Sequence, residues 1–204
     1  MSILDLSKLS MYQFHYDVMK PYYGDRAKLL YTDTDSLVYD IQTEDIFKDM
    51  LERNEYYDFS NFKSDHPIFN ELSEEEKKNL QEKNDAIPCK YKDELEGNVI
   101  KEFAAVKPKM YSYIMKGKDK DEQKAKAKGI TEAARKKDMK HEKYVNAINK
   151  PTVEKTSFNS IQSKEHQLET KQVNKISLTS IDDKRYYIDS NNSRAHGHHL
   201  NNQE

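Results

Sequence analysis

The sequence predicts an α+β fold in which an antiparallel β-hairpin with flanking helices is followed by a basic region. Three observations carry this expectation. Ile3, Leu6, Leu9, Met11, Phe14, Val18 and Met19 recur at helical spacing. Two β-rich runs, 28–31 and 37–41, flank the polar stretch Thr32-Asp33-Thr34-Asp35-Ser36. Three further strand-like runs, 91–94, 99–106 and 110–115, are punctuated by Gly97-Asn98 and Pro108.

Taken in order, residues 2–23 read as an amphipathic helix broken near Pro21 and Gly24. Residues 28–41 read as a hairpin with carboxylates near its tip. Thr43-Glu44-Asp45 reads as an N-cap with acidic first-turn residues, opening a helix that reaches about Arg53. Residues 71–83 read as a polar, exposed helix. After the later strands, 116–121 is expected to turn and 122–149 to form a basic helix, interrupted at Lys128-Gly129. Beyond Pro151 the pattern gives mixed short strands, clearest at 175–178 and 185–188. The implied division is an acidic, β-containing part at 1–117, a basic part at 118–190 and a flexible tail at 191–204.

Composition narrows the function classes. The 204 residues are 35% hydrophobic and 34% charged, with a mean hydropathy of -1.06. No apolar run approaches the ~18 residues of a membrane span, and residues 1–10 have no signal-peptide core, so no membrane partner is expected. Cys89 is the single cysteine, which excludes an internal disulfide framework and a zinc site of paired thiolates and favours a reducing, intracellular compartment. The net charge of -2 hides an asymmetry. Residues 1–100 carry 12 Lys/Arg against 22 Asp/Glu, residues 101–150 carry 15 against 7, and residues 151–204 carry 7 against 7. A block of +8 behind a half of -10 suits a polyanion partner together with a separate acidic site.

Asp33 and Asp35 are the residues best placed for chemistry. Two carboxylates in one small volume repel each other unless a cation or proton neutralises them. Hard oxygen ligands with an open approach suit Mg²⁺ or Mn²⁺, which takes one or two protein carboxylates and completes its shell with water and phosphate oxygens. A turn with solvated aspartates is the bland alternative. A strand followed by Asp-x-Asp also opens the site of haloacid-dehalogenase-type phosphatases. That pattern places Thr or Val where Leu37 stands, and it needs a later acidic pair beside a glycine, which Asp182-Asp183 lacks.

Leu30-Tyr31-Thr32-Asp33-Thr34-Asp35-Ser36-Leu37 resembles the Tyr-x-Asp-Thr-Asp-Ser palm-hairpin motif of family B DNA polymerases. Lys107-Pro108-Lys109-Met110-Tyr111-Ser112 resembles the Lys-x-Tyr motif that follows it in those families. The text around both motifs is similar to the C-terminal part of the protein-primed polymerases of Maverick/Polinton elements and related viruses. It includes 11–17, 126–129, Asn174-Lys175 and Asp182-Asp183-Lys184-Arg185-Tyr186. The resemblance implies a partial polymerase palm at 1–117 followed by a thumb-like basic region. It implies Asp35 as main metal-ligand carboxylate, Asp33 as a supporting one, and Thr34 and Ser36 as residues that shape the turn. Tyr31, Lys109 and Tyr111 would contact DNA near a primer end. Lys136, Lys137 and Lys140, which share a face if 122–149 is one helix, would grip duplex phosphates.

The implied reaction is template-directed nucleotidyl transfer with two Mg²⁺ (or Mn²⁺) ions. Its partners would be primer–template DNA, deoxynucleoside triphosphates and a terminal primer protein, in the nucleus or at a viral replication site. The family's Asp-x-x-Ser-Leu-Tyr-Pro and Lys-x-x-x-Asn-Ser-x-Tyr-Gly motifs do not occur among the 204 residues. The chain is therefore expected to represent the palm-plus-thumb part of a longer polymerase and to be inactive by itself. The competing reading is a non-catalytic DNA-binding module. Three lesser features, the sequon Asn191-Asn192-Ser193, the His196-Gly197-His198-His199 cluster and the lone Cys89 thiol, carry no further expectation.

Overall fold

The structure is a computed structural model and describes residues 2–117, 120–181 and 185–202. Helix (33%) and strand (35%) are nearly balanced, and the strands form several small sheets, so the class is α+β. The chain divides into two compact units, Met1–Val99 and Ile100–Glu204.

The first unit opens with helix α1 (Ser2–Gln13), which runs into a π-helical stretch, Phe14–Met19, and then into α2 (Lys20–Tyr23). The expected break at Pro21 is absent. Proline donates no backbone hydrogen bond and its ring crowds the preceding turn. Here the preceding turn is widened, and Lys20 N–H donates to the His15 carbonyl five residues back. The helix stops at Gly24, the other expected break, whose φ of 57° is a conformation glycine tolerates best. Strands β1 (Ala27–Asp33) and β2 (Ser36–Ile41) form the expected antiparallel hairpin.

Helix α3 (Ile46–Glu52) is capped by Asp45, whose carboxylate accepts from Phe47 N at 2.9 Å and Lys48 N at 3.2 Å. The N-cap is thus two residues later than Thr43. A short strand, β3 (Tyr57–Asp58), pairs in parallel with β4 (Tyr91–Lys92). Between them α4 (Glu74–Lys83) begins with a capping box in which Ser73 and Glu76 satisfy each other's backbone N–H groups. Two apolar clusters hold the unit together. One gathers Met50, Phe59, Phe62, Ile68 and Phe69; the other gathers Phe14, Met19, Tyr23 and Ala27.

The second unit is built on an antiparallel sheet of β5 (Ile100–Lys107), β6 (Met110–Met115) and β7 (Glu122–Ala127), in that spatial order. A boundary at 117 would fall between β6 and β7, inside one hydrogen-bonded sheet; the compact units part at Val99/Ile100 instead. Glu122-Gln123-Lys124-Ala125-Lys126-Ala127 is a strand rather than the first turns of a helix. Its residues are good helix formers, and pairing with β6 overrides that preference.

Helices α5 (Glu132–Asp138) and α6 (His141–Asn149) follow, and their Ala134, Tyr144 and Ala147 pack with Ala104, Met110, Ala127, Ile130, Met139 and Leu178. The expected scatter of short strands beyond Pro151 is one long ribbon, β8 (Val153–Lys164) paired with β9 (Gln167–Thr179). Its two-residue tip, Glu165-His166, has φ of 51° and 64°, the paired left-handed geometry of a type I′ turn. Within the segment read as a flexible tail, β11 (Ser193–Ala195) pairs with β10 (Arg185–Tyr187).

Candidate functional site

The Asp33-Thr34-Asp35-Ser36 segment forms the tip of the β1–β2 hairpin. Asp33 pairs with Ser36, leaving Thr34 and Asp35 as the loop. Asp35 N–H donates to the Asp33 carbonyl at 2.6 Å, a γ-turn centred on Thr34, whose φ is 59°. A β-branched residue in the left-handed region is disfavoured by about 1–2 kcal/mol. Two side-chain bonds steady the turn: Thr34 Oγ1 donates to Asp33 Oδ1 and Ser36 Oγ to the Asp33 carbonyl, both at 3.3 Å. Thr34 and Ser36 thus both bond to Asp33 within the turn. Asp35 is exposed and Asp33 half-buried.

The strand that delivers this tip is kinked. Leu29 faces Tyr39 and Tyr31 faces Val38, so Leu30 is a bulged extra residue. A bulge re-aims the side chains beyond it, and here Tyr31 and Asp33 become the half-buried pair while Thr32 is exposed. On β2, Leu37, Tyr39 and Ile41 pack against the Phe14–Tyr23 cluster. Leu29 remains 37% exposed, and β1–β2 is a two-stranded sheet among the described residues.

The π-helical stretch grips the hairpin directly. His15 Nδ1 lies 2.9 Å from the Tyr39 hydroxyl, and the two rings stack with centroids 5.8 Å apart. Burial, reinforced by the Lys20 charge, lowers the His15 pKa and keeps its ring neutral more readily. Burial raises the Tyr39 hydroxyl well beyond the usual range, so it stays a neutral hydrogen-bonding group.

A second anchor gathers on Asp49 of α3. Its carboxylate accepts from Tyr22 at 3.1 Å, Tyr23 at 2.9 Å and Thr43 at 2.7 Å. Burial works to raise the Asp49 pKa, but these three donors and the Arg53 charge outweigh it and hold the carboxyl below its usual range. The Arg53 guanidinium also sits 3.0 Å from the centre of the Tyr22 ring. Together these contacts tie α2, α3 and the segment after β2 into one support for the hairpin.

In the second unit, Lys107 pairs with Met110 and leaves Pro108-Lys109 as a two-residue loop. Proline first and a positive φ second (61° at Lys109) is the pattern of a type II turn. Val106 is bulged just before it, and Lys128 N–H donates to the Lys109 carbonyl at 3.2 Å. Both candidate motifs thus sit on hairpin tips that combine a bulge with a non-glycine residue in the left-handed region. Lys107 Nζ donates to the Ile181 carbonyl at 3.3 Å.

Tyr111 lies on β6 in a row of aromatic rings. Its ring is 5.7 Å from Phe103 and 6.3 Å from Tyr113, with which it stacks. The opposite face of the sheet carries Ala104, Met110, Ala125 and Ala127 into the core under the helices. On that core side Ser112 Oγ is 2.9 Å from His141 Nδ1, and His141 Nε2 is 3.5 Å from Glu102. The arrangement has the order of a serine–histidine–carboxylate triad, which no sequence signal announced. Ser112 is 0% exposed and cannot meet a substrate, so the pair is an internal fastening between β6 and α6.

Lys136, Lys137 and Lys140 do not share one helical face. Helix α5 ends at Asp138, and Lys140 is the N-cap of α6. Lys136 is 77% exposed and pairs with Glu132 at 2.8 Å. Lys140 Nζ donates to the Lys136 carbonyl at 3.2 Å. Asp182, Asp183 and Lys184, which belong to the resembling text, lie outside the described residues.

Among the described residues no three His, Cys, Asp or Glu side chains come together as a metal-ligand group. The hairpin tip offers two carboxylates, which is what Mg²⁺ or Mn²⁺ takes when phosphate and water complete its shell. Two carboxylates do not make a closed all-protein site, and an ion held there would need phosphate and water to complete its shell. No protein-family model, curated protein or solved structure matches the chain. Among the described residues no helix is long and apolar enough to cross a membrane.

Proposed function

We propose that this chain is the palm-plus-thumb part of a protein-primed family B DNA polymerase, working on primer–template DNA and deoxynucleoside triphosphates. The observation that carries the reading is the tip itself. Asp33 and Asp35 flank a β-branched residue held at a φ of 59°, at the end of a bulged and braced hairpin. Such strain persists where surrounding structure enforces it, and it concentrates at functional sites. Asp35, the more exposed carboxylate, serves as the principal cation ligand, with Asp33 supporting it. The ions would lower the pKa of an attacking hydroxyl and stabilise charge on the transferring phosphate. Tyr31, Lys109 and Tyr111 serve as DNA contacts, and the basic surface of the second unit, Lys136, Lys137 and Lys140 included, holds phosphates without reading sequence. A terminal protein whose hydroxyl primes synthesis belongs to the same proposal.

Mn²⁺ binding followed by electron paramagnetic resonance tests it, with primer–template DNA and a deoxynucleoside triphosphate present. The expected result is bound Mn²⁺ in the wild type, loss in Asp35→Asn and weakening in Asp33→Asn. Equal Mn²⁺ binding by all three proteins overturns the metal assignment. DNA binding that persists without any such Mn²⁺ site favours the non-catalytic DNA-binding reading instead.

A further inference from the structure

The lysines of the basic block are not equivalent. Lys101 is paired with Asp121 at 2.8 Å, Lys136 with Glu132 at 2.8 Å and Lys143 with Glu154 at 2.7 Å. Lys124, Lys126 and Lys128 are exposed, and among the described residues none of them forms an ion pair. Their place in the sheet is fixed by register. Lys124 is directly opposite Tyr113 and Lys126 directly opposite Tyr111. Residues opposite each other in an antiparallel pair project to the same face. The two ammonium groups therefore rise on the face that carries Phe103, Tyr111 and Tyr113, with Ala125 and Ala127 turned to the core.

Side chains two apart on one strand recur about every 6.6 Å. Lys128 follows at the end of the strand, its backbone bonded to the Lys109 turn, so Lys124, Lys126 and Lys128 run in file toward that turn. Glu122, opposite Met115, is the acidic residue at the far end of that file. The strand is the outer member of its sheet, open on one side among the described residues. Tyr144 pins it from below by donating its hydroxyl proton to the Lys126 carbonyl at 3.0 Å.

We infer that Lys124 and Lys126, flanked by Lys128, form a phosphate-binding rail for the backbone of a single DNA strand that continues from the Lys109 turn. Lysines beside aromatic rings on an extended segment combine phosphate neutralisation with base or sugar stacking, a pairing that tolerates any sequence. The inference rests on the DNA-binding part of the proposed function and deepens it, because it places more of the grip on β7 than on the α5 lysines. Edge lysines also serve in other sheets to deter strand-to-strand association, and the test separates the two roles.

The experiment measures the affinity of the full 204-residue chain for a fluorescent oligothymidylate and for a primer–template across a salt series, in EDTA so that no metal site contributes. Lys124→Gln/Lys126→Gln should make the slope of log affinity against log salt shallower by about 1.4 on the single strand, ~0.7 per lost phosphate contact. Lys124→Arg/Lys126→Arg should restore it. Lys136→Gln/Lys137→Gln removes the same charge from α5 and should change the slope by less than half as much. An unchanged slope in the β7 variant, with or without new self-association, overturns the rail, as does an equal change in the α5 control. Thermal unfolding confirms that each variant is folded. Because no metal is present, loss of the rail leaves the Mn²⁺ result standing, and failure of the Mn²⁺ test leaves the rail standing.

Discussion

Replacing Ser112 by alanine tests how the sheet bearing Tyr111 is held. Ser112 is 0% exposed, and its paired neighbours across the sheet are Ala104 and Ala125, so three small residues make room for the ring of His141 above them. Alanine keeps the shape and removes the 2.9 Å hydrogen bond to a His141 ring that is itself only 5% exposed. The cost is the lost bond plus the penalty of a buried ring nitrogen without a partner, about 1–3 kcal/mol. At ~4–8 °C per kcal/mol for a domain of roughly 100 residues, the midpoint of the second unit's unfolding should fall by at least about 4 °C. Circular dichroism melts of wild type, Ser112→Ala, His141→Leu and the double variant measure this. The double variant should lose less than the sum of the singles, because removing both partners leaves no orphan. An unchanged midpoint in Ser112→Ala, or strictly additive losses, would refute the fastening.

Three further outcomes follow from the same geometry. Asp49 has a depressed folded-state pKa, so its contribution is present above the unfolded carboxyl pKa and is lost as pH falls through the folded value. Asp49→Asn should therefore lower stability at neutral pH and flatten its decline in acid, and a wild-type-to-variant gap that stays constant down to acid pH contradicts this. Tyr144→Phe should cost about 0.5–1.5 kcal/mol and speed amide exchange along β7, since the hydroxyl that holds the Lys126 carbonyl is gone; unaltered exchange there would count against the pin. The isolated chain should not extend a primer with Mg²⁺ or Mn²⁺, and extension that vanishes in Asp35→Asn would show a complete metal site in these residues alone.

Much of the first unit was legible because its signals are local. The Asp33–Ser36 turn, the polar helix at 71–83 and the hydrophobic period of residues 3–19 are each carried by residues close together in the chain. The failures have a common cause in tertiary pairing. The β7 sequence reads as helix by propensity, and only its register with Met110–Met115 makes it a strand. Thr43 looks like an N-cap, yet its hydroxyl is drawn to Asp49 and Asp45 takes the helix end. The Glu165-His166 tip lacks the Asn-Gly or Asp-Gly that would have marked one continuous ribbon. Likewise Ser112 and His141 are 29 residues apart, beyond any local pattern. At the candidate site the carboxylates were visible in sequence. The bulges, the left-handed backbone at Thr34 and Lys109, and the Tyr–Lys cross-strand pairs were not, because they exist only once strands are paired.

The π-helical stretch Phe14–Met19 sets the phase of everything before it. An α-helix advances about 100° per residue, and a π turn behaves as an α turn holding one residue too many. Winding the same residues as a regular α-helix would put that extra residue into the spiral and rotate α1 by roughly that angle about its axis. Met11, which meets the Tyr91 hydroxyl through its sulfur, would swing off the core, and so would the Ser10 carbonyl that accepts from Tyr91. His15 would leave Tyr39, and the hairpin would lose its grip on the helix. In this chain an inserted residue acts as a dial, tuning which side of the first helix the catalytic-candidate hairpin can lean on.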